Sequence, residues 1–467
     1  MLEKEYHAQH KSRAQIPAKE HAARFIMNYN KTIKHNLVHM SYLFKAEDSH
    51  PRHKESRDVE NVLVLQGGGS LGAFACGVFK ALVKKNVRID IVAGTSIGAV
   101  NAAIIVGSKS DHPEEELENF WIEVAESSPN IIPDFFVLDY DNEAKKYIPK
   151  KISAASVNAA MFGVPKMFTP IWCWPWSPWN HNEDDNNRIY DRNKREQLEH
   201  HHHYDFLNPR NWTYIYDHSP LAKTLDKYID YKRLNLAATK EELPEVLRLI
   251  ITAVDVLTAR PLIFDNTKME IKAKHILASS GYPIYGFPWI EVDDNVYAWD
   301  GSLLSNTPVR EVIEVSPRND KNIFIVENYP RKIHHLPSNM AEVESRAKDI
   351  IFSDKNMDNI KMSRLITRHI QLIESLYDIV EKKVDPTEID RHQLEKIKSE
   401  YNTLINNYGA QIKSVTRIIR SELESPNMLQ NADFSPKTIK ELITQGETKT
   451  MEKLSYCQSV KYDFNIK

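Results

Sequence analysis

Cysteine is nearly absent: the 467 residues hold three, Cys76, Cys173 and Cys457, spaced far apart. That excludes a disulfide framework and a cysteine-based metal knuckle, and it suits a reducing compartment. No apolar run approaches the ~18 residues a membrane-spanning helix needs. The first residues, with Glu3, Lys4 and Glu5, lack the apolar core of an export signal. A cytoplasmic protein is expected, touching membranes peripherally if at all. The charge balance, 61 basic against 64 acidic residues, lacks the excess that would single out a nucleic-acid partner. Glycine is scarce too, 14 in all, yet four of them fall within seven positions, QGGGSLG at 66–72.

Hydrophobic residues make up 42% and charged residues 27%, a globular composition with length for two or three domains. Three segments are expected. Residues 1–58 are a basic arm, with 11 Lys and Arg against six acids up to Arg57 and a helical patch at Phe25, Ile26 and Tyr29. The arm either attracts anionic lipid head groups or packs, solvated, on the body. Residues 59–335 carry the sheet. Residues 336–467 alternate apolar and charged positions over 341–383, 387–424 and 435–456 and read as a mostly helical C-terminal region.

VLVLQ at 62–66 is a short, branched apolar run and reads as a buried strand. The glycines follow at once, then a helix over 71–85, a second strand at 87–94 and a second helix at 97–107. Strand, tight turn and helix, twice over, predict an α/β fold with a parallel sheet. Further strands are expected at 246–256 and 321–329, and a helix at 219–230 with Ser219 as N-cap and Pro220 at its first position.

The glycine run admits three chemistries. A phosphate loop needs Gly-Lys-Ser/Thr at its end, but Gly72 is followed by Ala73 and Phe74, so that reading fails. A dinucleotide fingerprint fits Gly67, Gly69 and Gly72, with Asp90 18 residues further on. An oxyanion hole fits as well, because consecutive glycines let several N–H groups point at one spot beside a helix N-terminus. The next turn discriminates. GTSIG at 94–98 is a G-x-S-x-G pentapeptide between a strand and a helix, the setting of a nucleophile elbow. Gly94 and Gly98 permit the sharp turn and display Ser96.

A serine hydroxyl needs a base. None of the 19 histidines stands at an obvious strand end, and His200–His203 read as a solvated polar loop without ordered metal-ligand spacing. Asp300-Gly301 follows an apolar stretch in VYAWDGSLLSNTPV (296–309) and offers a carboxylate base, although Asp-Gly is also an ordinary turn dipeptide.

GGGSLG, GTSIG and DGS, in this order, resemble the patatin-like phospholipases over roughly 60–330. The segments at 216–235, 253–266, 275–283, 299–309 and 434–443 resemble a bacterial subgroup with a helical C-terminal extension. The resemblance implies a three-layer α/β/α domain and a serine acyl hydrolase. Ser96 is then the nucleophile and Asp300 its dyad base, with Gly67, Gly68, Gly69 and Gly72 as the anion-hole loop. A lipid ester at a membrane or micelle surface is the implied substrate, with no metal or cofactor required. Two positions depart from the family pattern: Ser302 stands where Gly or Ala usually follows Asp-Gly, and Leu71 stands where many members carry Lys or Arg. Trp172, Trp174, Trp176 and Trp179 form either a lid at a lipid interface or an aromatic loop packed on the core. A lipid-binding scaffold without catalysis and a dinucleotide-binding protein are the alternatives.

Overall fold

The strand before the glycine run is covered on both faces. In Val59–Leu65 (β1), Leu63 and Leu65 join a large hydrophobic core, while Val62 and Val64 join a smaller one across the sheet. Successive strand residues point to opposite faces, so a strand buried on both reads as one apolar run. The computed structural model describes residues 59–133, 138–141, 146–149, 153–171, 212–238, 246–329, 332–333, 336–337, 340–353, 355–383, 391–421 and 429–463. The basic arm, the tryptophan-rich stretch from Trp172 onward and the histidine run lie outside the described residues. No helix among the described residues is long and apolar enough to cross a membrane.

Eight strands form one mixed sheet: β1, Ile91–Thr95 (β2), Arg248–Asp255 (β3), Pro261–Asp265 (β4), Ile290–Asp293 (β5), Val296–Asp300 (β6), Asp320–Glu327 (β7) and Ile412–Ile419 (β8). The order is β8-β7-β1-β2-β3-β6-β5, with β4 also paired to β3. From β8 through β3 neighbouring strands are parallel, and β4, β5 and β6 pair antiparallel to their neighbours. Helices Ala73–Lys84 (α1), Ile97–Val106 (α2), Pro113–Glu126 (α3), Ser219–Tyr228 (α4) and Ala273–Ser280 (α5) pack into the large core, and Val309–Val315 (α6) covers the small one. This is the expected three-layer arrangement.

One register decides where the site lies. Thr95 of β2 pairs with Thr252 of β3, and Asp300 of β6 pairs with Ala253. Because β4 occupies the other edge of β3, β2 and β6 share one edge, end to end. The residue after Thr95 and the last residue of β6 therefore meet at the same point of the sheet.

Met340–Ser353 (α7), Lys355–Lys383 (α8), Arg391–Tyr408 (α9) and Pro436–Asp463 (α10) make the C-terminal region largely helical. The expected helix through 424 is corrected: it stops at Tyr408, before Gly409, and 412–419 is strand β8. Val415, Thr416, Ile418 and Ile419 favour a strand, and Arg417 pairs with Glu327 of β7 at 2.5 Å. The sheet thus continues into the C-terminal region. α10 packs directly on α1: a β-carbon at Gly77 would stand 1.8 Å from Ile443 O, and one at Gly446 2.2 Å from Phe74 O.

Two local expectations also shift. The second strand starts at Ile91 rather than Val87, because Asn86 at φ 52° and the bond from Val87 N–H to Leu82 O finish α1. The 219–228 helix has His218 at its N-cap position, and Asp217 accepts hydrogen bonds from both Ser219 N–H (2.9 Å) and its hydroxyl (2.8 Å).

Candidate active site

β2 ends at Thr95 and α2 begins at Ile97, leaving Ser96 alone in the turn with φ 57° and ψ −129°. A left-handed φ at a non-glycine residue costs roughly 1–3 kcal/mol and persists only where the surroundings impose it. The surroundings here are glycines. A β-carbon at Gly94 would stand 2.2 Å from Gly98 O, and one at Gly98 2.2 Å from Leu65 O. Both must be glycine for strand and helix to pass this closely. Ser96 N–H donates to Ser279 Oγ at 3.0 Å, and the Ser279 hydroxyl donates to Thr252 O at 2.7 Å. Thr95 and Thr252 hydroxyls lie 2.6 Å apart, and Thr95 Oγ1 donates to Ser305 O at 3.0 Å. The elbow is thereby bonded to β3, α5 and the turn after β6.

Asp300 is 1% exposed. Burial pushes its carboxyl up to about 6, against partial offsets from the hydroxyl of Ser96 and the Ser302 residue beside it. Ser302 N–H donates to Asp300 Oδ1 at 2.8 Å. Oδ2 makes no hydrogen bond of ordinary length among the described residues. Ser302, the departure from the family pattern, turns its hydroxyl to Asn306 Oδ1 at 3.0 Å.

The glycine loop runs from the C-terminal end of β1 to Ser96. Gly67 touches the serine: a β-carbon there would stand 2.9 Å from Ser96 Cβ. Gly67 N–H donates to Asn306 O at 3.2 Å, so that donor is occupied. Gly68 (φ 152°) and Gly69 (φ 58°) take conformations that side chains resist. No acceptor among the described residues takes the N–H of either, and both are half-buried. Gly72 stands back from this mouth. A β-carbon on it would meet Ile97 Cγ1 at 2.7 Å, and its carbonyl accepts from Asn101 Nδ2 at 2.9 Å. Leu71 is fully buried in the large core, so its position offers no place for a cation facing the loop.

Residues beyond the sequence expectation hold this loop. Asn328, after β7, donates through Nδ2 to Gln66 O (3.0 Å) and Gly67 O (3.1 Å), and its N–H donates to Gln66 Oε1 at 2.6 Å. Gln66 Nε2 and Asn306 Nδ2 both donate to Phe352 O of α7, at 3.1 and 3.4 Å. Gln66 and Asn328 follow parallel strands at the sheet end where ligands gather, a signal readable in the sequence. Ser279 and Phe352 carry no such signal. Phe352 packs at a tilt against Tyr329 (5.0 Å) and edge-on against Tyr282 (5.7 Å), and Tyr282 packs at a tilt against Tyr285 (5.0 Å). Burial raises all three tyrosines, Tyr282 to about 12, and the Asp300 charge adds to each shift. An aromatic wall therefore flanks the carboxylate.

The dinucleotide alternative is overturned by Asp90. It precedes β2 and accepts from Asn61 N–H at 2.8 Å, at the opposite end of these parallel strands from the glycine loop. A ribose-binding acid must stand at the same end as the phosphate loop. The described grouping with metal-ligand spacing, His112, Glu114 and Glu115, lies at the start of α3 instead of at the loop.

Comparison with known proteins gives a match of residues 63–313 to the family described as Patatin, patatin-like phospholipase. Lysophospholipase nte1 of Aspergillus terreus is 55% identical over 42 residues, 9% of this chain and 3% of that protein. Triacylglycerol lipase SDP1L of Arabidopsis thaliana is 46% identical over 59 residues, 13% of this chain and 7% of that protein. The chain thus spans only a small part of these curated relatives. Among solved structures, VipD from Legionella pneumophila aligns at a TM-score of 0.34 and 14% identity, covering 89% of this chain and 72% of that one. Full-length ExoU of Pseudomonas aeruginosa, solved with SpcU, aligns at a TM-score of 0.25 and 14% identity, covering 68% and 59%.

Proposed function

From its membership of the patatin-like phospholipase family, to which this chain belongs, we propose that it hydrolyses lipid acyl esters through a Ser96–Asp300 dyad and an oxyanion hole in the glycine loop. The observation that carries the reading is the meeting of a strained, half-buried serine with a buried carboxylate at one edge of β3.

The mechanism follows from the groups present. Asp300, ionised above about pH 6, takes the Ser96 proton on Oδ2, the oxygen left without an ordinary hydrogen bond. A catalytic base works best with a pKa near the operating pH, and burial moves this aspartate toward it. Ser96 Oγ attacks the ester carbonyl. The oxyanion that develops is received by Gly68 and Gly69 N–H, with the N-terminal dipole of α2 favouring negative charge on Ser96. The alcohol leaves with the proton from Asp300. Water, deprotonated by Asp300, then resolves the acyl-enzyme to fatty acid and free serine. Gly94 and Gly98 set the elbow, and Gly72 lets α1 close on α2. The aromatic wall of Tyr282, Tyr285 and Phe352 is suited to an acyl chain.

The test is a fluorophosphonate probe with fatty-acid release from a panel of lipid esters. Wild type labels and hydrolyses, and Ser96→Ala does neither. A folded wild type that neither labels nor releases fatty acid from any ester refutes the reading and leaves a lipid-binding protein.

A further inference from the structure

The loop's supports converge on one buried cation that lies outside the family match. Arg420 follows β8 and is 1% exposed. Its Nε donates to Asn328 O at 2.7 Å, Nη1 to Ser421 O at 2.9 Å, and Nη2 to Gln430 Oε1 at 3.2 Å. Each of the first and third bonds leads to the glycine loop. Asn328 bonds Gly67 O and packs against Gly68, where a β-carbon would meet Asn328 Cβ at 3.3 Å. Gln430 accepts the Ser70 hydroxyl at its carbonyl (2.8 Å), and the next residue, Asn431, puts its carbonyl 2.2 Å from where a Gly69 β-carbon would stand. Gly67, Gly68, Gly69 and Ser70 are therefore gripped from two sides, and both grips are tied by one guanidinium.

We infer that Arg420 is a positioning residue for the oxyanion loop, holding Asn328 and Gln430 in place on its two sides. It rests on the acyl-hydrolase reading. A guanidinium is suited to the task because its planar fork reaches two acceptors at fixed angles, which a lysine ammonium does not reproduce. The glycine loop of residues 66–72 is thus completed by residues 328, 420, 430 and 431, all beyond the match at 63–313.

The experiment uses the full chain and a soluble nitrophenyl ester, with steady-state rates, phosphonate labelling rates and thermal melting measured on each variant. In Arg420→Met, kcat and the labelling rate are expected to fall on the order of 100-fold, the loss typical of a small misplacement of catalytic groups, with KM within about twofold. Arg420→Lys, which keeps the charge and loses the fork, is expected to fall between the two. Guanidinium added to Arg420→Gly is expected to restore part of kcat. A folded Arg420→Met with wild-type kcat overturns the inference. So does a loss of kcat matched by a rise in KM and unaltered by guanidinium. If Arg420→Met does not fold, Ser70→Ala decides: it cuts only the Gln430 grip, and an unchanged kcat overturns the inference. Ser96→Ala separates the two claims. If it retains turnover, the reading of the site fails; if it abolishes turnover while Arg420→Met does not alter kcat, only this inference fails.

Discussion

Gly67 rests on Ser96: a β-carbon at Gly67 would lie 2.9 Å from Ser96 Cβ and 2.4 Å from Asn306 Oδ1. Neither neighbour can yield easily. Ser96 is fixed by its strained turn and by Ser279, and Asn306 by Ser302 and Phe352. An added methyl must displace the loop instead.

Gly67→Ala is therefore expected to move the Gly68 and Gly69 donors and to lower kcat on the order of 100-fold, as small displacements of catalytic groups do. Melting should change far less than activity, because the rest of the core is untouched. Steady-state kinetics on a soluble ester check this, and a Gly67→Ala enzyme with wild-type kcat contradicts the packing described.

The acid limb of activity tests the proposed role of Asp300. Its carboxyl is raised from 3.8 to about 6 by burial, so a base at this position is protonated and idle below that pH. kcat/KM is expected to fall with a midpoint near 6 as the pH drops. A midpoint near 4, the value of a free aspartate, would show that another group is the base.

Much of this was legible in the sequence, and the rest was hidden for identifiable reasons. The two strand–turn–helix units gave Ser96 its setting because glycines and branched residues act locally. Asp300 was legible as a displayed acid, but its meeting with Ser96 depends on β2 and β6 sharing an edge of β3, a register no local pattern encodes. Strand β8 looks helical in sequence because Lys413 and Arg417 interrupt its branched residues with charge. Arg417 there pairs across the sheet with Glu327. Ser279 is an ordinary serine until the fold sets it under the elbow. Gly72, grouped with the loop by its spacing, proves to be the contact between α1 and α2.

The α1–α10 contact tests whether the C-terminal region is integral to the fold. Gly77 and Gly446 place two helix backbones in direct contact, and a methyl at either has only backbone to push against. Gly77→Ala is expected to destabilise by about 1–3 kcal/mol, the usual range for overpacking, despite alanine's better helix propensity. Denaturant unfolding checks the sign, and stabilisation would mean that the helices are not in contact.

Stability against pH should show two buried groups working in opposition. Asp300 is raised from 3.8 to about 6. The folded state holds its proton more tightly than the unfolded one, so this contribution is full below 3.8 and is lost as pH rises through about 6. His275, 3% exposed, is lowered by burial and then by Lys274 and Lys272, from 6.5 to about 4. Its contribution is full above 6.5 and is lost as pH falls through about 4. Each amounts to roughly 3 kcal/mol at 1.36 per pH unit, and between pH 4 and 6 they largely cancel. Asp300→Asn removes one side of the balance. It is expected to be inactive, to be more stable than wild type at pH 8, and to lose stability more steeply on acidification, because protonating His275 breaks the Lys272 N–H bond to its Nδ1 (2.9 Å) that starts α5. Denaturant midpoints of both proteins from pH 4 to 8 measure this. Parallel curves would show that Asp300 is not held as a buried, proton-favouring group.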